Sequence, residues 1–318
     1  MIENFSENFS VVCDSDGQTR IMDCRSGERM HPLLNPFDEA KQLYLEQSLP
    51  AISHLIESGT SPVVIWDVGL GAGANSMAFV SHDWSTICNQ NLRITVVSFD
   101  ITLEPLILAR KHQSVFPYTN HPAVESILTT EQRRWTSKYI DWKYIEGDFC
   151  YTWRENILSE NIWCKTQPHG SNNPYGGNGC STKNSSVKPN VICFDPFSQP
   201  VMPSLWSPEL IDNLCDAFNT TPTILITYSI STAMRALFLS NGWYVAKGKS
   251  IGRRPECTLA VSPAGIDLLP PSSALLDENW LAKFLRSDRP FPLELGSIAQ
   301  EKRRSILIKH PQFFVARR

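Results

Sequence analysis

This sequence lacks the features that mark several protein classes. It has no C-x-x-C pair and no paired histidine spacing: its nine cysteines, Cys13, Cys24, Cys88, Cys150, Cys164, Cys180, Cys193, Cys215 and Cys257, are scattered and odd in number. Neither a zinc motif nor a disulfide framework fits that scatter, so no metal is expected, and reduced thiols are. It has no apolar run of membrane length, and its start, "MIENFSENFS", lacks the basic residues and apolar stretch of a secretion signal. A cytoplasmic protein without membrane contact is therefore expected. It has little charge imbalance, 29 Lys+Arg against 32 Asp+Glu, so bulk charge does not single out a nucleic acid as partner. Internal repeats are absent. What remains is an ordinary folded composition, 42% hydrophobic and 19% charged over 318 residues, enough for one large core or one core with an appendage.

The order of patterns along the chain predicts an α/β fold. Two short strand-like runs flank Asp16-Gly17 in "FSVVCDSDGQTRIMDC", which is a hairpin signal. A helical stretch follows, with Phe37, Ala40, Leu43, Tyr44 and Leu45 at helical spacing, until Pro62 closes the segment. From Val63 onward strands and helices alternate: "VVIW", "RITVVSFD", "DWKYIEGDF", "NVICFDPF" and "TPTILITYS" read as strands, and "LEPLILARKH" as one of the helices between them. That alternation predicts a doubly wound, mostly parallel, Rossmann-like sheet behind a small β-rich extension. Residues 116–138 interrupt the rhythm as a partly helical excursion. Residues 164–190, rich in Gly, Asn and Ser, are expected to form a mobile surface loop. The expected boundaries are a hairpin and helix over 1–62, a main domain over 63–262 with the insertion at 164–190, and a C-terminal extension over 263–318.

The stretch "VVIWDVGLGAGANSM" runs a buried strand straight into Gly69, Gly71 and Gly73. Glycine serves where the backbone takes positive φ or a ligand comes closer than a Cβ would allow. A dinucleotide fingerprint would read G-x-G-x-x-G, whereas here the spacing is G-x-G-x-G behind Asp67. That spacing resembles the turn of class I methyltransferases, which passes under S-adenosylmethionine (SAM). Acids stand at the ends of the following strands, where open α/β sheets bind ligands. Asp100 can accept the two hydroxyls of an adenosyl ribose or cap the helix of "DITLEP"; Asp148 can receive the adenine amino group or serve an ordinary turn. Asp195 follows four apolar strand residues and precedes a loop stiffened by Pro196, Pro200 and Pro203. A carboxylate held there would face the methyl donor.

Four stretches in the same order resemble the methyltransferase part of the MnmC family, which completes the 5-methylaminomethyl group of wobble uridine in tRNA. They are "DSDGQTRI…ERMHPLLNPFDEAKQLYL", "GLGAGAN" ending in Asn75, "DPFSQPVMPSLW", and "TYSISTAMRALFLSNGWYVAKGKSIGRRPE". The resemblance covers roughly residues 10 to 262 and implies a class I SAM-dependent methyltransferase fold. It implies a cofactor site at Asp67, Gly69, Gly71, Gly73, Asn75, Asp100 and Asp148, and a catalytic Asp195. Phe197, Trp206 and Tyr228 would stack on a flipped-out wobble base or belong to the core. Lys249, Arg253 and Arg254, with Lys247 beside them, would contact the anticodon loop.

The departures from that family bear on what is expected. Gln199 interrupts its F-S-P, and Arg254-Pro255 stands where Lys-Arg would supply two charges. No second fingerprint for FAD is present, so an oxidase half is not expected, and a separate oxidase or upstream uridine-modifying enzymes would act as partners. Further basic residues, Lys302, Arg303, Arg304, Lys309, Arg317 and Arg318, lie late in the chain. Two other readings stay open: a SAM-dependent N-methyltransferase of a small amine, and a catalytically silent SAM-fold binding module.

Overall fold

The computed structural model describes residues 8–15, 17–32, 34–87, 92–155, 157 and 188–314. Asp16, Cys88, Cys164, Cys180, Arg317, Arg318 and most of the expected 164–190 loop lie outside the described residues. The chain opens with the expected hairpin, β1 (Phe9–Cys13) paired antiparallel with β2 (Thr19–Asp23). Helix α1 (Pro36–Ala40) starts on Pro36, with Asn35 as N-cap, and runs through a π-helical turn, Lys41–Leu45, into α2 (Glu46–Glu57).

The remaining strands form one sheet. In chain order they are β3 (Val63–Val68), β4 (Ile94–Asp100), β5 (Arg134–Thr136), β6 (Ile140–Glu146), β7 (Val191–Phe194), β8 (Ile224–Thr227), β9 (Tyr244–Lys247), β10 (Thr258–Val261) and β11 (Ala274–Leu275). Their spatial order is β11-β9-β10-β8-β7-β3-β4-β6-β5. The central pairs, β6 with β4, β4 with β3, β3 with β7 and β7 with β8, are parallel. The pairs at both edges are antiparallel. The residues of 116–138 supply one of those edges: α5 (Pro122–Thr129) leads into β5, which pairs with β6.

Helices cover both faces, so the central strands are apolar on both sides. Within β3 the alternation of a strand divides the core: Val63 and Ile65 belong to one apolar cluster, and Val64, Trp66 and Val68 to the other. The first cluster packs under α2, α3 (Ala74–Val80), α4 (Glu104–Lys111) and α5; the second packs under a helix over 149–155 (α6), α7 (Pro208–Phe218) and α8 (Thr232–Ser240). The segment beyond 262 joins the second cluster through Trp280 and Phe284 of α9 (Glu278–Leu285), Phe291, Phe313 and Leu307 of α10 (Ser297–Ile308). It is also tied to the sheet by Gln312, whose side chain accepts from the Val245 amide at 2.8 Å and donates to the carbonyls of Val245 and Leu276. Among the described residues no helix is long and apolar enough to cross a membrane.

Candidate active site

Strand β3 is the first parallel strand of the sheet; β4 and β6 extend from it on one side, β7 and β8 on the other. At such a reversal the loops leaving the strands diverge and a crevice opens at their carboxyl ends. Here it is a cleft of about 940 Å³ lined by residues that end or follow β3, β4, β6, β7 and β8, among them Gly69, Asp100, Asp148, Asp195 and Tyr228.

The glycine turn shapes the floor. Gly69 has φ +90°, and a Cβ there would lie 2.7 Å from the backbone oxygen of Asp195. Only glycine lets the loop after β7 come that close. Gly71 has φ +51°, and its amide donates to Asp100 Oδ2 at 2.8 Å. The other oxygen of Asp100 accepts from the Ile101 amide at 2.7 Å. Burial pushes the Asp100 carboxyl up to about 6 against these bonds. Asp148, exposed at the mouth, accepts from the Cys150 amide at 2.8 Å and so caps α6.

Beneath the turn lies a buried polar group that does not reach the cleft. Asp67 is fully buried, accepts from the Ser76 hydroxyl, and is pushed up to about 7 by its burial. Asn75, also buried, donates from Nδ2 to Asp195 Oδ2 at 2.8 Å and, more weakly, to Asp67 Oδ1 at 3.4 Å. Asp67, Asn75 and Gly73 were expected to touch the cofactor. Instead they lie behind the lining, where Gly73 starts α3 and the Asn75 amide ties Asp67 to Asp195.

Asp195 opens on the cleft. Burial raises its carboxyl above the usual range, and the nearby His31 and the Asn75 hydrogen bond pull it back. The Tyr44 hydroxyl, on the π-helical turn, stands close to the same carboxyl but finds no partner of hydrogen-bond geometry. Two residues brace the Asp195 loop from the side: the Tyr228 hydroxyl donates to the Pro196 carbonyl at 3.0 Å, and the Arg254 guanidinium sits 5.1 Å over the Tyr228 ring and donates to its carbonyl. Phe197, Tyr228 and Arg254 all line the cleft.

Other expected contacts lie elsewhere. Trp206 is only 2% exposed, packs edge-on against Phe194, and donates from its ring nitrogen to the Phe197 carbonyl at 2.7 Å. It supports the loop from below and has no free face for a base. Lys249 and Arg253 are exposed but outside the lining. Lys247 pairs with Glu256 at 3.5 Å, so the basic run is partly neutralised by an acid that arrives from the next turn. In the C-terminal basic group Arg303 pairs with Asp212, and Arg304 lies over the Phe284 ring.

The roof was not anticipated. Residues from Asp23 and 25–32 line the opposite side of the cleft, with Glu39 of α1. Glu28 clamps the Asp195 loop, accepting from the Ser198 amide at 2.8 Å and from its hydroxyl at 2.6 Å. The Met30 sulfur would be 3.1 Å from a Cβ on Gly71, so roof and floor meet at the turn. His31 Nε2 stands 4.0 Å from Asp195 Oδ2. The stretch "ERMHP" held the only signal, its place before the helix in the family-like opening, and nothing local to it says which strand ends it will cover.

Residues 180–263 match the model of a family described as S-adenosyl-L-methionine-dependent methyltransferase. Over that stretch, about a quarter of its length, the chain is similar to this family. The matched part of the chain includes Asp195, Phe197, Tyr228 and Arg254 and excludes the glycine turn. Its fold is similar to that of MnmC2 from Aquifex aeolicus, with a TM-score of 0.60 and 20% identity over 97% of this chain and 86% of that one. A precorrin-6y C5,15-methyltransferase from Geobacter metallireducens GS-15 is 12% identical over 70% of this chain and 90% of its own, with a TM-score of 0.30 that bears no weight. No sequence among curated proteins matches. Among the described residues no three His, Cys, Asp or Glu side chains gather to hold a metal ion.

Proposed function

We propose that this methyltransferase acts on the primary amine of a 5-aminomethyl group on (2-thio)uridine at the wobble position of tRNA. The observation that carries the reading is Asp195: a carboxyl in a largely dry position, open to the cleft, adjacent to the glycine turn and fixed by Asn75.

The floor suits SAM. The turn presents bare backbone, and the neighbouring Asp100 offers carboxylate oxygens to hydroxyl donors. Gly69, Gly71, Asp100 and Asp148 are the residues we assign to holding it, with Leu70, Ile101 and Phe149 as apolar lining. Bound there, SAM supplies an electrophilic methyl group on a sulfonium.

The chain itself contributes orientation and electrostatics, the main needs of an in-line displacement. Asp195 accepts a hydrogen bond from the acceptor amine, turns its lone pair toward the methyl group, and stabilises the positive charge that stays on nitrogen. Phe197 and Tyr228 offer ring surface to the base, and Arg254 lies beside them for a phosphate or a carbonyl. Lys249 and Arg253, exposed outside the cleft, fit the surrounding anticodon backbone. A separate oxidase or other uridine-modifying enzyme would supply the aminomethyl group.

The test offers three acceptors with SAM: tRNA bearing 5-aminomethyluridine, tRNA bearing only its carboxymethylaminomethyl precursor, and a polyamine. Mass spectrometry of the nucleosides should find a new methyl group in the first alone. Methylation of the polyamine with no change in either tRNA would favour a small-amine enzyme, and conversion of the precursor by this chain would overturn the reading.

A further inference from the structure

We propose that His31 is the second catalytic group of this site, taking the proton that the acceptor ammonium must lose before its nitrogen attacks. The inference rests on the reading of the acceptor as a primary amine. Three observations converge on it.

The first is distance. His31 Nε2 and Asp195 Oδ2 are 4.0 Å apart, an ion-pair separation but too long for a hydrogen bond. Neither group spends its acceptor capacity on the other. A nitrogen seated between them reaches both at roughly 2.9 Å, so an ammonium can donate to each at once. The second is access: His31 and Asp195 both line the cleft. A ring there can pass a proton on to water.

The third is the backbone. His31 has φ +51°, a left-handed conformation that non-glycine side chains adopt at a cost, and one that gathers at functional sites. It is held from behind. Its carbonyl accepts from Arg20 Nε at 2.9 Å, and Arg20, fully buried, is fixed in turn by Asp14 at 2.7 Å. Just ahead of the bend the Met30 amide donates to the Ile21 carbonyl and Glu28 holds Ser198. The result points an imidazole at the carboxylate.

The charged and titrating groups around the pair come from several elements. Asp195 faces His31 directly; Glu39 of α1 and Tyr44 of the π-helical turn act on that carboxyl; Arg20 of β2 stands behind the His31 carbonyl. Tyr228 follows β8, and Glu28 and Arg29 precede His31 in the chain.

Asp195 holds the protonated amine but is a poor base for it, whereas a neutral imidazole is a better match to neutral pH. In the step, an N–H bond of the ammonium breaks and its proton moves to Nε2 of His31. The freed lone pair forms the N–C bond, and the C–S bond of the donor breaks with its electron pair remaining on sulfur. The product leaves as a secondary ammonium, and His31 releases its proton to water.

Single-turnover methyl transfer to tRNA carrying 5-aminomethyluridine, followed from about pH 5.5 to 9, tests this. The wild-type rate should fall about tenfold per unit below the histidine pKa. His31→Gln should be slower by roughly 10²-fold at neutral pH, should lack that limb, and should gain rate as pH rises. Imidazole should restore part of the rate of His31→Ala, and SAM affinity by calorimetry should be unchanged in both variants. A His31→Gln profile that follows wild type would overturn the proposal. If the wild type transfers no methyl group to this tRNA, the acceptor reading fails, and the pair is decided by NMR of the imidazole nitrogens. Replacing Asp195 by Asn should then move the imidazole nitrogen resonances, retaining the seat for another amine. No shift would remove His31 from the site.

Discussion

The floor of the cleft is made from the ends of the central parallel strands, whereas its roof is one short segment, residues 25–32, that precedes the whole sheet in the chain. The floor is positioned by backbone: each of its loops leaves a strand whose register is fixed by its neighbours. The roof is positioned by side chains, with Glu28 on Ser198, Met30 over Gly71 and His31 toward Asp195. Floor residues should therefore govern chemistry and cofactor binding with little effect on folding. Roof contacts other than His31 should move stability by small amounts and tune what the floor does.

The largest effect expected is at Asp195. Asp195→Asn keeps the shape and removes the charge, so single-turnover methyl transfer should fall by roughly 10²-fold or more. SAM affinity, measured by calorimetry on the same variant, should hardly change. Near-normal turnover would reduce Asp195 to a loop cap and erase the distinction between floor and roof.

An intermediate effect is expected at Gly71, where floor and roof touch. Gly71→Val places a branched side chain at φ +51° and directs its Cβ at the Met30 sulfur, so SAM affinity should drop by more than about tenfold while circular dichroism stays native. Adding Met30→Ala sharpens the comparison. Recovery of affinity would place the clash in the roof; persistent loss would place it in the turn itself.

The smallest effect is expected at Glu28. Glu28→Ala removes two hydrogen bonds to Ser198 at a half-exposed site and should cost about 1 kcal/mol in denaturant unfolding, with the m-value unchanged. A loss several times larger would mean that the roof is part of the core and not a cover upon it.

The same division explains what was legible in the sequence. Val63–Val68, the glycines after it, and the acids Asp100 and Asp195 announce themselves, because a strand buried on both faces and a turn that must admit a close neighbour leave few choices of residue. The antiparallel edges were not read: β9 and β10 are four residues each, and β11 is two, too short for any periodicity. Trp206 looked like a stacking ring because a tryptophan in a proline-rich loop reads the same whether it faces in or out; the Phe197 carbonyl that takes its N–H decides the matter. The basic run at 247–254 looked unopposed until the next turn brought Glu256 against Lys247 and Arg235. Asp67 carries the right spacing for a ligand contact, yet as a strand residue beneath the turn it is fully buried and lies outside the lining of the cleft.

The bond from Glu28 to Ser198 joins positions 170 residues apart. During synthesis the roof therefore leaves the ribosome long before the loop that it will cover. Arg20, by contrast, finds Asp14, the His31 carbonyl and the Leu34 carbonyl within 14 positions of itself. Part of what holds the bend at His31 is thus present in its own neighbourhood while the carboxylate it faces is still untranslated. A ribosome stalled ahead of β7 would carry the turn, Asp100 and His31, with no Asp195 for that histidine to meet.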